Sequence, residues 1–213
     1  MTLRNITCAV TLCLLTLSGQ AVGKTEVPPY KNKSLSIEKR VDDLMGRMTL
    51  REKVLQLQNR GAGRLDEIDR IFNGESYGCT HEMGTTAAEC AAMYKELQQY
   101  MLTKTRLGIP IITSVEGIQG ILQNNCTLFP HALAQGSTFN PALIQRMTEA
   151  AGEEAKVIGI HQILSPVLDI ARELRWGRVE ETFGEDPYLI SEMGIASVSY
   201  THLRAHETCA DLV

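Results

Sequence analysis

"TAAECAAMYKELQQYMLTKTRLGIPIITS", residues 86 to 114, decides the fold. Thr86 followed three residues later by Glu89 is a capping box, so a helix opens here, and "AAECAAMYKELQQYMLTKTRLG" carries it to Gly108. "IPIITS" (109 to 114) follows with no linker, short, apolar and β-branched, as befits a strand covered on both faces by helices. The same order recurs downstream. A Gly/Asn/Pro-containing loop (116 to 138) leads to a helix with Asn140 as N-cap and Pro141 in its first position, then to the apolar strand "HQILSPVLDI" (161 to 170). A charged loop comes next, and Asp186 with Pro187 announces a further helix. Helix and strand in alternation give an α/β fold with parallel strands. No GxGxxG or Walker sequence opens any of these helices, which favours a (β/α) barrel over a doubly wound, nucleotide-binding sheet.

Upstream, Ile37, Val41, Leu44, Met45 and Met48 recur at helical spacing after Ser36, and Thr49 with Glu52 forms another capping box, opening "LREKVLQLQ" (50 to 58). Residues 60 to 84 hold five glycines with weak periodicity and read as irregular connecting structure. "KTEVPPYKNK" (24 to 33) is an extended lead-in. Before it, Arg4, the apolar run 6 to 17 and the small residues 21 to 23 have the form of an export signal cleaved after Gly23, the apolar run being well short of the ~20 residues that span a bilayer.

A net charge of −4 over 213 residues offers no basic footprint for nucleic acid or an anionic membrane, so neither is an expected partner. Cys79, Cys90, Cys126 and Cys209 would remain after signal removal; Cys79 with Cys90 is the nearest local pair, and free thiols are the alternative. No cysteine or histidine spacing matches a metal site, and no cofactor is expected. His81, His131 and His161 read as hydrogen-bonded loop or core histidines, and without a GxSxG elbow a serine hydrolase is disfavoured.

In a parallel α/β barrel the site is built by loops leaving the carboxyl ends of the strands. Glu116 stands two residues beyond "IPIITS", where a carboxylate can accept two charge-assisted hydrogen bonds from sugar hydroxyls; a capping or ion-pairing glutamate is the alternative. The second such loop, "LDIARELRWGRVEETFGEDPY" (168 to 188), carries six acids and three arginines with alternating sign. That pattern describes a salt-bridged structural loop, since Arg pairs with carboxylates through a rigid fork. Trp176, the chain's only tryptophan, serves equally to stack on a sugar or to cover the barrel end.

Four pieces, "VDDLMGRMTLREKVLQL", "TRLGIPIITSVEGIQG", "TLFPHALAQGSTFNPAL" and "SPVLDIARELRWGRVEETFGEDPYL", in this order, resemble glycoside hydrolase family 3, the β-glucosidase and β-xylosidase group, from about Ser34 to Ser199. The resemblance implies an α/β fold of the (β/α)8 TIM-like barrel type over residues 34 to 200, here partial and truncated before closure. It also implies retaining hydrolysis of terminal β-linked sugars in an oligosaccharide or glycoside substrate. By resemblance, Glu116, Arg178 and Arg175 fall among the substrate-binding positions, while Asp169, Glu180 and Glu181 match as supports that fix the loop. Gln119 departs from the family, many of whose members have a histidine there. The family's Lys-His pair, its aspartate nucleophile and its acid/base come later than the matched pieces, so no catalytic residue is expected within this chain, and β-glucosidase is the leading activity for the whole product. "THLRAHETCADLV" (201 to 213) turns polar and reads as translated adapter sequence rather than protein.

Overall fold

The computed structural model describes residues 27–81 and 86–198. The expected export segment (1 to 23) and the tail (201 to 213) lie outside the described residues. Three strands, β1 (Cys79–His81), β2 (Ile112–Glu116) and β3 (Gln162–Leu164), form a parallel sheet in the order β1-β2-β3. Helices α1 (Ile37–Arg47), α2 (Leu50–Leu55) and α3 (Ile68–Phe72) precede β1; α4 (Ala87–Lys104) joins β1 to β2; α5 (Ala132–Gly136) and α6 (Pro141–Ile158) join β2 to β3. A last helix, α7, runs over residues 187–198.

The local signals act as their chemistry requires. Thr49 Oγ1 accepts from the Glu52 N–H at 3.2 Å while the Glu52 carboxylate accepts from the Thr49 N–H at 2.8 Å, and Thr86 with Glu89 repeats the arrangement at 3.2 and 3.1 Å. Glu52 also receives the Arg106 guanidinium, which ties the start of α2 to the segment after α4; that pairing first, with the Thr49 bonds, holds its carboxyl down to about 2. Asn140 Oδ1 caps α6 through the Leu143 N–H at 3.1 Å. The Asp186 side chain accepts from the Tyr188 N–H at 2.8 Å where α7 begins.

Several sequence expectations need correction. The stretch 60 to 84, expected to be irregular, contains α3 and β1. A buried strand of three residues is too short to show a period, and β1 takes its conformation from its neighbour: the Ile112 N–H donates to the Gly78 carbonyl at 2.9 Å. Strand β2 begins at Ile112 rather than 109, since Pro110 has no N–H to give a ladder. Strand β3 covers Gln162–Leu164 of the expected 161 to 170 and stops before Pro166 for the same reason. The loop 116 to 138 includes α5. Cys79, Cys90 and Cys126 are in no disulfide, so the Cys79–Cys90 pairing is not formed.

The register divides the sheet into two faces. Residues paired across parallel strands point the same way, so Thr80, Thr113, Val115 and Ile163 share one face and Cys79, His81, Ile112, Ser114, Glu116, Gln162 and Leu164 the other. The first face carries the core: Val115, Ile111 and Ile163 pack with Tyr94, Leu97 and Met101 of α4 and Ala151, Ala155 and Ile158 of α6. A second cluster joins Ala132 of α5 and Ile144 of α6 to Phe183 and to Ile190, Met193 and Ala196 of α7. On the other face Ile112 is 50% and Leu164 40% exposed, so the helices leave that side uncovered.

One histidine couples β2 to β3. The Thr113 N–H donates to His161 Nδ1 at 3.2 Å, Thr113 Oγ1 stands 2.7 Å from the same nitrogen, and the His161 N–H donates to the Thr113 carbonyl at 2.9 Å. Burial of the ring lowers the His161 pKa from its ordinary 6.5, and a proton on Nδ1 would abolish the acceptor. The folded state therefore favours the neutral ring. Its stability is full above pH ~6.5 and declines as the pH falls through that value, because the unfolded chain takes up the proton first. Urea midpoints should drop between about pH 7 and about pH 5, and His161→Gln should flatten that part of the profile.

Candidate functional site

Strands β1, β2 and β3 deliver His81, Glu116 and Leu164 to one end of the sheet, the carboxyl end. Glu116 lies on the uncovered face with its side chain 39% exposed, and Nε2 of His81, from β1, is 3.9 Å from Glu116 Oε1. The other ring nitrogen, Nδ1, is 3.2 Å from Ser114 Oγ. Ser114 is buried and its hydroxyl donates to the Thr80 carbonyl at 2.9 Å, so the ring is fastened to the strand floor. Past Glu116 the chain turns sharply. Gly120 takes φ +96° and the Cβ of any other residue there would stand 2.3 Å from the Thr127 carbonyl oxygen, so only glycine fits.

The loop after β3 closes upon itself before returning to α7. Val167 bridges to Thr182, the Ala171 N–H donates to the Gly184 carbonyl at 3.0 Å, and Phe183 is buried in the second core cluster. On this anchored neck Arg178 donates from Nε and Nη2 to Glu181 Oε2 at 2.9 and 2.5 Å. Those bonds first, then the charges of Glu181, Glu116 and Asp169, raise the Arg178 pKa, while Arg178 holds Glu181 below the usual carboxylate range. Arg178, Glu116 and Asp169 thus share one electrostatic neighbourhood, with Glu181 as the fixed partner of the arginine.

The remaining sequence candidates stand differently. Arg175 is 89% exposed and forks onto Glu173 at 2.9 and 2.8 Å; this pairing lowers Glu173 to about 2 and raises Arg175. Asp169 and Glu180 are exposed, and Trp176 is half-buried. His81 and Ser114 were not singled out for this site by sequence reasoning. The one local hint was Cys79 and His81 alternating around Thr80 after Gly78, and the nearness of His81 to Glu116 arises from the β1–β2 register. Among the described residues no three His, Cys, Asp or Glu side chains come together to hold a metal ion.

A larger cleft, about 220 Å³, opens at the opposite end of the sheet, between Thr49, Glu52, Gln56, Glu75 and Arg106. Its charges are already paired, Arg51 with Glu75 and Arg106 with Glu52. At the amino ends of parallel strands such groups serve stability, whereas reactive and binding groups gather at the carboxyl ends.

Chemically, an exposed carboxylate such as that of Glu116 can accept hydrogen bonds from hydroxyls, and a guanidinium such as that of Arg178, held by Glu181, can donate them. Parallel α/β topology with polar groups at the strand ends is the class of α/β domains whose sites lie at the carboxyl ends of their strands. Within that class the chain belongs to glycosyl hydrolase family 3, matching the family's N terminal domain over residues 49–206. It is 34% identical over 190 residues to a putative beta-xylosidase of Formosa agariphila, covering 82% of this chain and 25% of the relative. To beta-glucosidase C of Emericella nidulans it is 34% identical over 184 residues, covering 78% and 30%. The crystal structure of a beta-glucosidase from Listeria innocua in complex with glucose superposes with a TM-score of 0.63 at 30% identity, over 76% of this chain and 23% of that one. The chain thus spans about a quarter of the length of the relatives it matches. No described helix is long and apolar enough to cross a membrane.

Proposed function

We propose that the chain is the sugar-recognising front part of an exported retaining exo-β-glycosidase, with a β-glucosidase as the whole product, and that Glu116 and Arg178 bind hydroxyls of the sugar in the cleaved-residue subsite. The observation that carries this is the position of Glu116 at the carboxyl end of the central strand, on the uncovered face, within the field of Arg178. The three parallel strands are then an arc of the barrel, completed by later strands. Retaining hydrolysis needs two carboxyl groups ~5 to 5.5 Å apart across the scissile bond. Here Glu181 is engaged by Arg178 and Glu116 is flanked by His81, which suits binding, so the reacting pair is assigned to later parts of the full-length enzyme.

A chimera tests this reading. Residues 49–200 exchanged into the matching segment of the Listeria innocua beta-glucosidase should yield an enzyme that hydrolyses an aryl β-D-glucoside in preference to the xyloside, while the 213-residue chain alone hydrolyses neither. Hydrolysis by the isolated chain contradicts the assignment of the reacting pair. The relationship to a putative beta-xylosidase favours a second reading, a β-xylosidase, which the same chimera supports if the xyloside is the better substrate.

A further inference from the structure

Two of the cysteines meet in the main core. Cys90 is fully buried in the first turn of α4, and Cys126, half-buried in the loop between β2 and α5, packs against the same apolar cluster. Their segments are joined backbone to backbone beside them: Thr86, the N-cap of α4, bridges to Asn124, and the Ala87 N–H donates to the Asn124 carbonyl at 3.0 Å. A helical side chain leans back toward the N-terminus of its helix, so Cys90 lies over this junction, and Cys126 follows Asn124 by two residues. Burial first, then the charges of Glu154 and Cys90, raises the Cys126 thiol, in agreement with two thiols side by side. Cys79 stands apart, on the uncovered face with Sγ 3.3 Å from Ser114 Oγ, so the sheet lies between it and α4.

We propose that Cys90 and Cys126 form a disulfide that clamps the loop after β2 to the start of α4. The oxidant is a small disulfide such as oxidised glutathione. Cys126, the more accessible thiol, loses its proton and attacks it, giving a mixed disulfide and one small thiol; Cys90 Sγ, losing its proton, then attacks Cys126 Sγ and expels the second. Two cysteine thiols thereby give up two electrons and two protons, and one small disulfide becomes two thiols. The fold already holds the loop on both sides of Cys126: at Asn124 by α4, and at Thr127, whose N–H and hydroxyl donate to Glu154 of α6 at 3.0 and 2.7 Å. The bond therefore secures an arrangement that exists without it, and it closes residues 90 to 126 into a ring, which restricts chiefly the unfolded chain. That loop continues directly from Glu116, so the clamp bears on the segment leaving the carboxyl end of β2.

Peptide mapping of the full chain reads the bond directly. The chain is equilibrated with oxidised glutathione at about pH 8.5, near the ordinary thiol range, and remaining thiols are alkylated in denaturant. Cleavage at methionine then places Cys79, Cys90 and Cys126 in separate fragments, 49–83, 84–93 and 102–147. Mass spectrometry should find 84–93 joined to 102–147, lighter than their sum by the two lost hydrogens, and dithiothreitol should part them. The oxidised chain should melt about 5 to 10 °C above the reduced one, and Cys126→Ser should abolish the difference. Cys126 left as a glutathione adduct or an alkylated thiol overturns the proposal, as does 84–93 joined to 49–83 instead. Joined fragments in a chain that melts no higher than the reduced one place the bond outside the native arrangement and overturn the clamp.

Discussion

Replacing Gly78 with alanine is expected to remove about 3 kcal/mol or more of stability, a large fraction of what a domain of this size has. The Cβ would stand 1.9 Å from the carbonyl oxygen of Gln56, at the end of α2. That oxygen belongs to a segment already tied down: the Gly78 N–H donates to the Leu55 carbonyl at 3.2 Å, the Gln56 N–H donates to the Glu52 carbonyl at 3.1 Å, and the Gln56 side chain donates from Nε2 to the Ser76 carbonyl at 3.0 Å. Neither side can give way without loosening the start of β1, and β1 in turn sets the register that brings His81 to Glu116. Urea unfolding should show the loss as a lowered midpoint or as a transition no longer cooperative. Gly61→Ala is the control, because nothing stands within 4 Å of the added Cβ, and it should stay within about 0.5 kcal/mol of wild type. Equal midpoints for the two variants would contradict the close approach of α2 to β1.

At the site, Glu116→Ala should weaken the affinity for methyl β-D-glucopyranoside about 30-fold, about 2 kcal/mol, with folding intact. A hydrogen bond to a charged group is worth ~1.5 to 3 kcal/mol, and partial exposure of Glu116 places the net loss near the low end. Arg178→Ala should act in the same direction, because it removes a donor and also leaves Glu181 without its partner. Arg175→Ala is expected to change affinity less than about twofold, since its guanidinium is spent on Glu173 at the exposed loop tip. Calorimetric titration of the three variants distinguishes a site centred on Glu116 and Arg178 from one spread along the whole charged loop.

What the sequence discloses follows from how local each determinant is. The capping boxes at Thr49 and Thr86 and the cap at Asn140 are legible because donor and acceptor lie three residues apart in the chain. Strand β1 is illegible in the glycine-rich stretch because its pairing partner is thirty-odd residues away, and β2 was placed too early because an apolar run says nothing about which N–H groups a proline removes. Helix α5 has no side-chain cap to announce it. The same distinction governs the site. Glu116 is readable from its place after an apolar strand, but the ring that faces it comes from a neighbouring strand, and the bonds of Arg178 to Glu181 rather than to Asp169 depend on how the loop closes. Alternating charge in residues 168 to 188 correctly pointed to internal pairing, as Glu173 with Arg175 and Arg178 with Glu181.

The most direct test of the account is a residue-resolved NMR titration of the chain with methyl β-D-glucopyranoside. The account predicts saturable shifts centred on the side chains of Glu116 and Arg178, with His81 following. No saturable shifts, or shifts centred on the cleft lined by Thr49, Glu52, Glu75 and Arg106 at the opposite end of the sheet, would contradict it.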